Sequence, residues 1–556
     1  MTSELPASCD LLVIGSGAAG LTAALVAGLA GLKVVVCEKA DRIGGTTAIS
    51  GGTCWVPGNH LADPSGSGED VAAARTYLES EIGPDDALGR REAFLRHARE
   101  AFAFLAEKSE LRFSLPKHYP DYHPDQPGAS QGGRAIQPLP FDGMLLGNDF
   151  ARLGDPLFGL TILGGMMFSR PEGMILARPF SSWNAFRFSA GTVLRHLKDR
   201  LRHPRGTRLL LGNALVARLM ASLQRLHVPI LTGVAMTGLI ERDGRIVGAR
   251  FGDREIQSRK GVVLATGGFT SSREWREKLL PKEVRHALSA PGATGDGLAA
   301  ALAIGAQIGT GHAISAFCMP VSKIRLGDKR ERLFPHVIVD RARPGVIAVD
   351  GMGKRFVNEG NSYHDFVEAM VSRGMNVAYL ICDRASLRRF GLGLVRPVWQ
   401  WLRYYTSRGY LVSAPTVADL AKRISVPAEA LSATIARHNA SCITGIDEEF
   451  GKGSNSLNLM YGDTSAAPNP CLGPIRHSPF VAIPVEPAAI GGSVGLETDA
   501  RARVLGLDGK PVPGLFACGN DASSIMRGRY AGAGITLGPA ITFAYLAART
   551  AAETGE

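Results

Sequence analysis

Apolar positions along this chain fall into short β-branched runs that alternate with longer alanine- and leucine-rich ones, the pattern of strands feeding helices. Residues 9–39, CDLLVIGSGAAGLTAALVAGLAGLKVVVCEK, read as an apolar strand, a glycine turn, a helix and a second strand ending at Glu38. A helical run over 214–233 leads into another strand, GLIERDGRIVGARF (238–251) is patterned as a hairpin, and residues 261–269 return as a strand. From about Ile304 the pattern loosens into irregular loops and the segment GVIAVDGMGKRFVNEGNSYHDF (345–366). A helical stretch over 416–442 follows, with Thr416 its predicted N-cap. Near Ile483 the chain returns to strands, and an apolar C-terminal helix follows the last glycine turn. The pattern predicts an α/β fold, and it contains neither an internal repeat nor a low-complexity tract.

Two glycine turns carry candidate chemistry. Gly15, Gly17 and Gly20 stand at G-x-G-x-x-G spacing between the first strand and its helix, and Glu38 closes the second strand. That is a βαβ dinucleotide fingerprint: Gly15 makes the tight turn, Gly17 lets backbone approach a pyrophosphate, Gly20 permits close helix–strand packing, and Glu38 can accept from a ribose hydroxyl. The second turn, GRYAGAGITLGPA (528–540), precedes the C-terminal helix with no lysine after its glycines, so it is not a nucleoside-triphosphate loop. A tyrosine, Tyr530, stands at its head instead.

Four further segments, EKADRIGGTTAISGGTCWVPGN (38–59), GVVLATGGFTSS (261–272), GATGDG (292–297) and VPGLFACGNDAS (512–523), resemble the flavin-contact segments of the fumarate reductase/succinate dehydrogenase flavoprotein superfamily. The resemblance implies a Rossmann-like FAD-binding domain built from both ends of the chain, residues 1–303 and 484–556, with an apolar insertion near 145–190. An inserted α+β substrate or capping domain would occupy 304–483. It implies FAD contacts by Gly15, Gly17, Ala18, Ala19, Gly20, Glu38 and Lys39, and by Gly44, Gly45, Thr46, Thr47, Ser50, Gly51 and Gly52. Ala265, Thr266, Gly267, Asp296, Gly519, Asn520, Thr536 and Leu537 complete the expected set. Relatives with covalent flavin carry a histidine just before the glycine pair of the 44–52 stretch. Here the first histidine is His60, so non-covalent FAD is expected.

Dicarboxylate enzymes of this superfamily keep an arginine in the terminal turn to clamp a carboxylate, in a pattern like H-G-x-N-R-x-G-G. This chain has Tyr530-Ala-Gly-Ala-Gly534-Ile-Thr-Leu-Gly538, which resembles the Y-P-G-x-G-x-T-L-G turn of the 3-ketosteroid dehydrogenase branch, with Ala531 in place of proline. The resemblance implies that the Tyr530 O–H and the Gly534 N–H stabilise the enolate of a ring ketone. In RFVNEGNSYHDF the N-E-x-x-x-Y spacing matches Tyr363 to the family's proton-abstracting phenol, and YPDYHPDQPGASQGGR (119–134) resembles its D-Y-Y-P-x-x-P-G loop. Tyr122 is then the assisting tyrosine; His123 replaces the loop's second tyrosine, and Tyr119 competes for the role. The implied reaction is 1,2-desaturation of a 3-ketosteroid, with C2 proton loss to Tyr363 and C1 hydride transfer to flavin N5. A phenol with a pKa near 10 needs a partner that stabilises its anion to act as such a base. Rivals are a 3-keto-5α-steroid 4-dehydrogenase, which would carry a hydroxyl residue where Gly532 stands, another dehydrogenase or ene-reductase of the fumarate reductase type, and a lipid-binding flavoprotein without turnover. His336 and His364 are expected on loops or the surface and receive no role.

Composition narrows partners rather than chemistry. The chain has 556 residues with 62 Lys+Arg against 51 Asp+Glu, a formal charge of +11 spread along the sequence, and no nucleic-acid module. Its eight cysteines are scattered without C-x-x-C or zinc spacing, so no metal site and a reduced, cytoplasmic setting are expected. Residues 11–36 are split by glycines and preceded by Glu4 and Asp10, unlike a signal peptide or a spanning helix. Residues 157–168, LFGLTILGGMMF, are too short to span a bilayer. Residues 384–412 hold six arginines, two tryptophans and three tyrosines with no acid. That composition suits contact with the inner face of the cell membrane, although a buried substrate-domain loop with solvated arginines is the favoured alternative. An electron acceptor must reoxidise the flavin, and no residue pattern names it.

Overall fold

The computed structural model describes residues 5–63, 66–327, 330–398 and 400–553. Its first sheet grows from the βαβ unit: β1 (Ser8–Ile14), α1 (Ala18–Leu29) and β2 (Val34–Glu38), with β1 and β2 parallel and Leu11 opposite Val34. Both strands are almost wholly buried, as expected where helices cover both faces of a parallel sheet. Strand β3 (Ile230–Thr232) extends the sheet beyond β2. On the other side β4 (Gly238–Arg242) and β5 (Arg245–Phe251) form the predicted hairpin, turning at Asp243 and Gly244 with φ of 52° and 72°. Two adjacent positive φ values match the twist of the flanking strands, which is why an Asp-Gly pair occupies the turn. Strand β6 (Arg254–Leu264) joins β5 to β1, giving the order β3-β2-β1-β6-β5-β4.

The region beyond Ile304 is regular, not loop-like. A second sheet runs in the order β8-β7-β11-β10-β9, formed by β7 (Ala316–Arg325), β8 (Glu331–Pro335), β9 (Val346–Val349), β10 (Ala378–Asp383) and β11 (Phe480–Gly492). Most of β7 is buried on both faces, so it lacks the alternation by which a half-exposed strand is recognised. Residue 483 lies inside the thirteen-residue β11, which pairs with β10 through its first half and with β7 through its second. The 416–442 stretch is two helices, Val417–Arg423 and Ala428–Thr444, broken at Ser425 (φ 58°) and Pro427. Thr416 caps the first of them, its hydroxyl accepting from the Asp419 N–H at 3.0 Å.

Helix α2 (Tyr363–Val371) packs on β7. Past β11 the chain returns to the first sheet, where β12 (Pro511–Ala517) lies parallel to the end of β6, and α3 (Leu537–Glu553) packs on α1. The glycine turn of 528–534 therefore lies between the two sheets. All eight cysteines are free and seven are buried, in keeping with a packing role. Among the described residues no helix is long and apolar enough to cross a membrane, and no cluster of His, Cys, Asp and Glu could hold a metal ion.

Candidate active site

One continuous cavity of about 1780 Å³ runs from the Gly15 turn to the three tyrosines and on to the 390–405 segment. Its first arm is the predicted cofactor cradle, lined by Gly15, Gly17, Ala18, Ala19, Glu38 and Lys39, by Gly45 to Gly52, and by Ala265, Thr266, Gly267 and Asp296. Gly519, Asn520, Thr536 and Leu537 close it from the C-terminal side. Gly20 and Gly44 are not in its wall: a Cβ on Gly20 would stand 1.9 Å from the Gly15 carbonyl oxygen, and one on Gly44 would meet Ala48 at 2.9 Å. Those two glycines serve chain packing. Gly17 differs, since a Cβ there would find no protein atom nearer than Thr47 Oγ1 at 3.8 Å and would project into the cavity. An open, glycine-lined helix N-terminus fits a pyrophosphate, and the donor set fits FAD. Glu38 is tied back to the turn, accepting from the Ser16 N–H at 2.9 Å and the Ser16 hydroxyl at 2.7 Å. Lys39 pairs with Asp296 at 2.6 Å, bridging the second strand to the 292–297 segment.

Where the two sheets meet, Tyr122, Tyr363 and Tyr530 form a buried cluster on the cavity wall. Ring centroids lie 5.0 Å apart for Tyr363 and Tyr530, 5.6 Å for Tyr122 and Tyr363, and 5.7 Å for the stacked pair Tyr122 and Tyr530. Phe317 closes on the Tyr530 ring edge-on at 5.4 Å. Tyr119 lies on the same wall, where its hydroxyl accepts from the Tyr461 hydroxyl at 3.2 Å. Gly534 has φ of 90°, and a Cβ there would strike the Thr53 carbonyl oxygen at 2.5 Å, so glycine is required. Its carbonyl accepts from the Trp55 and Gly538 N–H groups, while its own N–H has no acceptor among the described residues. An N–H without a protein acceptor and the Tyr530 phenol on the same cavity wall are the kind of donor pair an oxyanion needs.

Charge at this point is set by burial and by the helix. Burial pushes the phenols of Tyr122 and Tyr363 well above the usual range and that of Tyr530 up to about 12. Opposing that, Tyr363 is the first residue of α2, where the positive end of the helix dipole favours an anion.

Supporting contacts come from residues that sequence reasoning passed over. His364 is buried, contrary to the expectation of a surface position, because it is the joint between α2, β7 and the glycine turn. Its Nδ1 accepts from the Cys318 N–H at 3.1 Å and its Nε2 donates to the Gly528 carbonyl at 2.8 Å, which requires the neutral ring; burial holds its pKa down as well. His336 is likewise buried, its Nε2 2.8 Å from the Ser322 hydroxyl. The Tyr122 N–H donates to the Ala531 carbonyl at 2.9 Å, fixing the loop on the turn. Asp121 accepts from the Trp55 indole at 2.7 Å and from Arg134 at 2.6 Å. Glu359, the acid of the N-E motif, pairs with Arg355 at 2.8 Å and braces the segment rather than facing the cavity. Apart from the Glu359–Arg355 pair, these partners are distant in sequence and no motif announces them.

His123, where the family loop has a second tyrosine, bridges Glu81 (2.6 Å) and Asp365 (2.9 Å), tying the Tyr122 loop to α2. Burial opposes its charge, yet the Asp365 and Glu81 carboxylates outweigh burial and push it up to about 10. A raised folded-state pKa gives stabilisation that is complete below the unfolded value near 6.5 and is lost as pH rises through about 10. His123→Gln is therefore expected to destabilise the protein most below pH about 6.5, with the difference vanishing above about 10. Denaturant midpoints across that range check this; a pH-independent difference would contradict it.

Comparison with known proteins agrees with this architecture. Residues 10–537 match the FAD binding domain family. The 4-oxocyclohex-2-ene-1-carboxylate 5-dehydrogenase of Sinomonas cyclohexanicum is 36% identical over 561 residues, covering 98% of this chain and 94% of that protein. The 3-oxosteroid 1-dehydrogenase of Mycobacterium tuberculosis is 34% identical over 564 residues, 97% of each chain. The crystal structure of 3-ketosteroid delta1-dehydrogenase from Sterolibacterium denitrificans in complex with 1,4-androstadiene-3,17-dione matches with a TM-score of 0.90 at 32% identity, covering 98% of this chain and 100% of that one. A glycine cradle at one end of the cavity, three phenols at its middle and full-length likeness to these enzymes together make this chain an FAD-dependent oxidoreductase of the FAD binding domain family, on the branch that holds the 3-oxosteroid 1-dehydrogenases.

Proposed function

We propose that this enzyme introduces the 1,2 double bond of a 3-ketosteroid, and the observation that carries the reading is the Tyr122, Tyr363 and Tyr530 cluster beside the free Gly534 N–H. A C3 carbonyl held by the Tyr530 O–H and the Gly534 N–H becomes enolate-like as the C2 proton leaves, and both donors strengthen as charge grows on that oxygen. Tyr363 receives the proton, and the Tyr122 O–H can donate to the Tyr363 oxygen while it is anionic. Bound FAD supplies the hydride acceptor for C1. The residues from 304 to β11 and those on either side of them divide as substrate and flavin parts in this reading.

Position 532 favours 1,2- over 4,5-desaturation. A Cβ at Gly532 would stand 3.1 Å from Asp121 Oδ1 and from the Trp55 ring, so the hydroxyl side chain expected of the 4-dehydrogenase would fit only with a shift of that hydrogen-bonded pair. Leu160, Ile162, Phe334, Val337 and Ile338 on the cavity wall offer the apolar surface that a fused-ring substrate needs.

Exposed apolar side chains in the 384–412 segment, and more of them within 144–201, support a membrane contact. In the 384–412 segment Val398, Trp401 and Tyr404 are exposed, and Trp399 lies outside the described residues. More exposed apolar side chains lie within 144–201: Leu145, Phe180, Trp183, Leu194 and Leu201 are each 65% or more exposed, and the Phe180 and Trp183 rings both stack on Phe186. Residues 178–202 carry Arg178, Arg187, Arg195, Lys198, Arg200 and Arg202 against Asp199 alone. An apolar patch rimmed by cations suits an anionic lipid surface, and Leu163, Met174 and Trp401 belong both to this exposed set and to the cavity wall.

Tyr530→Phe is expected to retain FAD and steroid binding but to slow anaerobic flavin reduction by roughly 10²–10³-fold, and Tyr363→Phe by about 10²-fold or more. Stopped-flow absorbance checks both, and unaltered reduction in Tyr530→Phe would remove its carbonyl role. Denaturation with acid should release intact FAD; flavin retained on the denatured chain would show a covalent link. With anionic vesicles, Trp183→Ser combined with Phe180→Ser should weaken co-sedimentation about tenfold or more. Equal sedimentation of the wild type and the double variant would contradict the membrane reading.

A further inference from the structure

Arg341 ends the short helix Ile338–Arg341 and is fully buried. Its donors all go to backbone carbonyls: Nε to His336 at 3.1 Å, Nη1 to Glu359 at 2.7 Å and Nη2 to Asn361 at 3.2 Å. The guanidinium also lies 5.1 Å from the centroid of the Phe366 ring. These contacts straddle Tyr363, with Glu359 and Asn361 before it and Phe366 after it on α2.

Three carboxylates act on this guanidinium, and two of them, Asp365 and Glu359, are already shared with the basic side chains of His123 and Arg355. Asp340 is 3.1 Å from His336, Asp365 is 2.9 Å from His123, and Glu359 is 2.8 Å from Arg355. Among the described residues Arg341 forms no ion pair of its own. Its hydrogen bonds go to carbonyl dipoles and none of the three carboxylates forms an ion pair with it, so this buried charge is only partly offset. The groups facing the tyrosine cluster are Tyr461, whose field reaches Tyr122, and the neutral His364 beside the Tyr530 ring. Neither offers a negative charge, whereas the guanidinium's field does reach the Tyr122 phenol.

We propose that Arg341 is a positioning residue that holds the chain on both sides of Tyr363 and supplies the countercharge for a tyrosinate shared between Tyr363 and Tyr122. The inference rests on the reading of Tyr363 as the proton acceptor. The tyrosinate takes the C2 proton and returns to phenol, and the negative charge passes to the carbonyl oxygen held by Tyr530 and Gly534. Arg341 touches neither substrate nor flavin in this scheme; it acts through the tyrosines.

The test uses the FAD-loaded enzyme and two variants, R341Q, which removes the charge, and R341K, which keeps it but loses the three-carbonyl clamp. The near-ultraviolet difference absorbance of tyrosinate is titrated without steroid, the relevant step being the one absent from Tyr363→Phe and Tyr122→Phe. The pH dependence of flavin reduction by a 3-ketosteroid is recorded beside it. R341Q is expected to move both midpoints up by about one pH unit or more, a loss of about tenfold at neutral pH, with steroid affinity changed less than about threefold. R341K should keep the wild-type midpoints. Wild-type midpoints in R341Q would overturn the proposal. If R341Q does not hold flavin, R341K decides: a neutral-pH rate within about fivefold of wild type supports the charge, and a uniform loss of about a hundredfold at every pH would mean that the clamp alone matters and overturns it. Should no 3-ketosteroid reduce the wild-type flavin, the proposed substrate falls, and the absorbance titration still decides the role of Arg341.

Discussion

Three phenols share one buried point, and each arrives from a different part of the chain. Tyr122 comes from a loop after the first βαβ unit, Tyr363 from the start of a helix on the second sheet, and Tyr530 from the turn that leads into the last helix. Their rings lie within 5.7 Å of one another, so the two sheets must hold a fixed relation across the cavity. The joints that enforce it are polar and specific: His364 ties α2 to the turn, His123 ties α2 to the loop, and the Ala531 carbonyl accepts from both the Tyr122 N–H and the Tyr77 hydroxyl. Satisfied buried polar contacts of this kind fix one arrangement where apolar packing alone would tolerate several.

The same burial that assembles the cluster makes its chemistry costly. Desolvation raises every phenol in it, and a neutral phenol is a poor base near pH 7. Two features oppose that cost without introducing a carboxylate: the N-terminus of α2 at Tyr363 and the field of the Arg341 guanidinium at Tyr122. The nearby acids are neutralised in pairs, Glu359 by Arg355 and Asp365 by His123, so the site stays short of negative charge until the reaction supplies it. The carbonyl donors add to this, because Gly534 can donate its N–H only where a left-handed turn presses it against Thr53.

Local pattern carried part of this architecture and missed the rest for physical reasons. The βαβ unit was legible because its glycines, helix and strands are contiguous, and the Asp243-Gly244 hairpin because turn chemistry is local. The resemblance of the 528–540 turn, the N-E segment and the tyrosine loop named three tyrosines that do lie together. The second sheet was not legible, since β7 is buried on both faces and carries no period. His364, His123 and Arg341 were passed over because their meaning lies in partners hundreds or tens of residues away, such as Gly528 for His364 and Glu81 for His123. Composition singled out the 384–412 segment, whereas most of the strongly exposed apolar side chains lie within 144–201, because accessibility is not encoded in composition.

The central claim is that the phenol cluster and the Gly534 N–H direct desaturation to the bond next to a ring ketone. The most direct measurement is an anaerobic single turnover with a 5α-3-ketosteroid saturated at C1, C2, C4 and C5, following flavin absorbance and identifying the steroid product. The account expects the flavin to bleach with one equivalent of 1,2-unsaturated 3-ketone formed per flavin. Bleaching with a 4,5-unsaturated product, or an oxidised flavin in the presence of bound steroid, would contradict it.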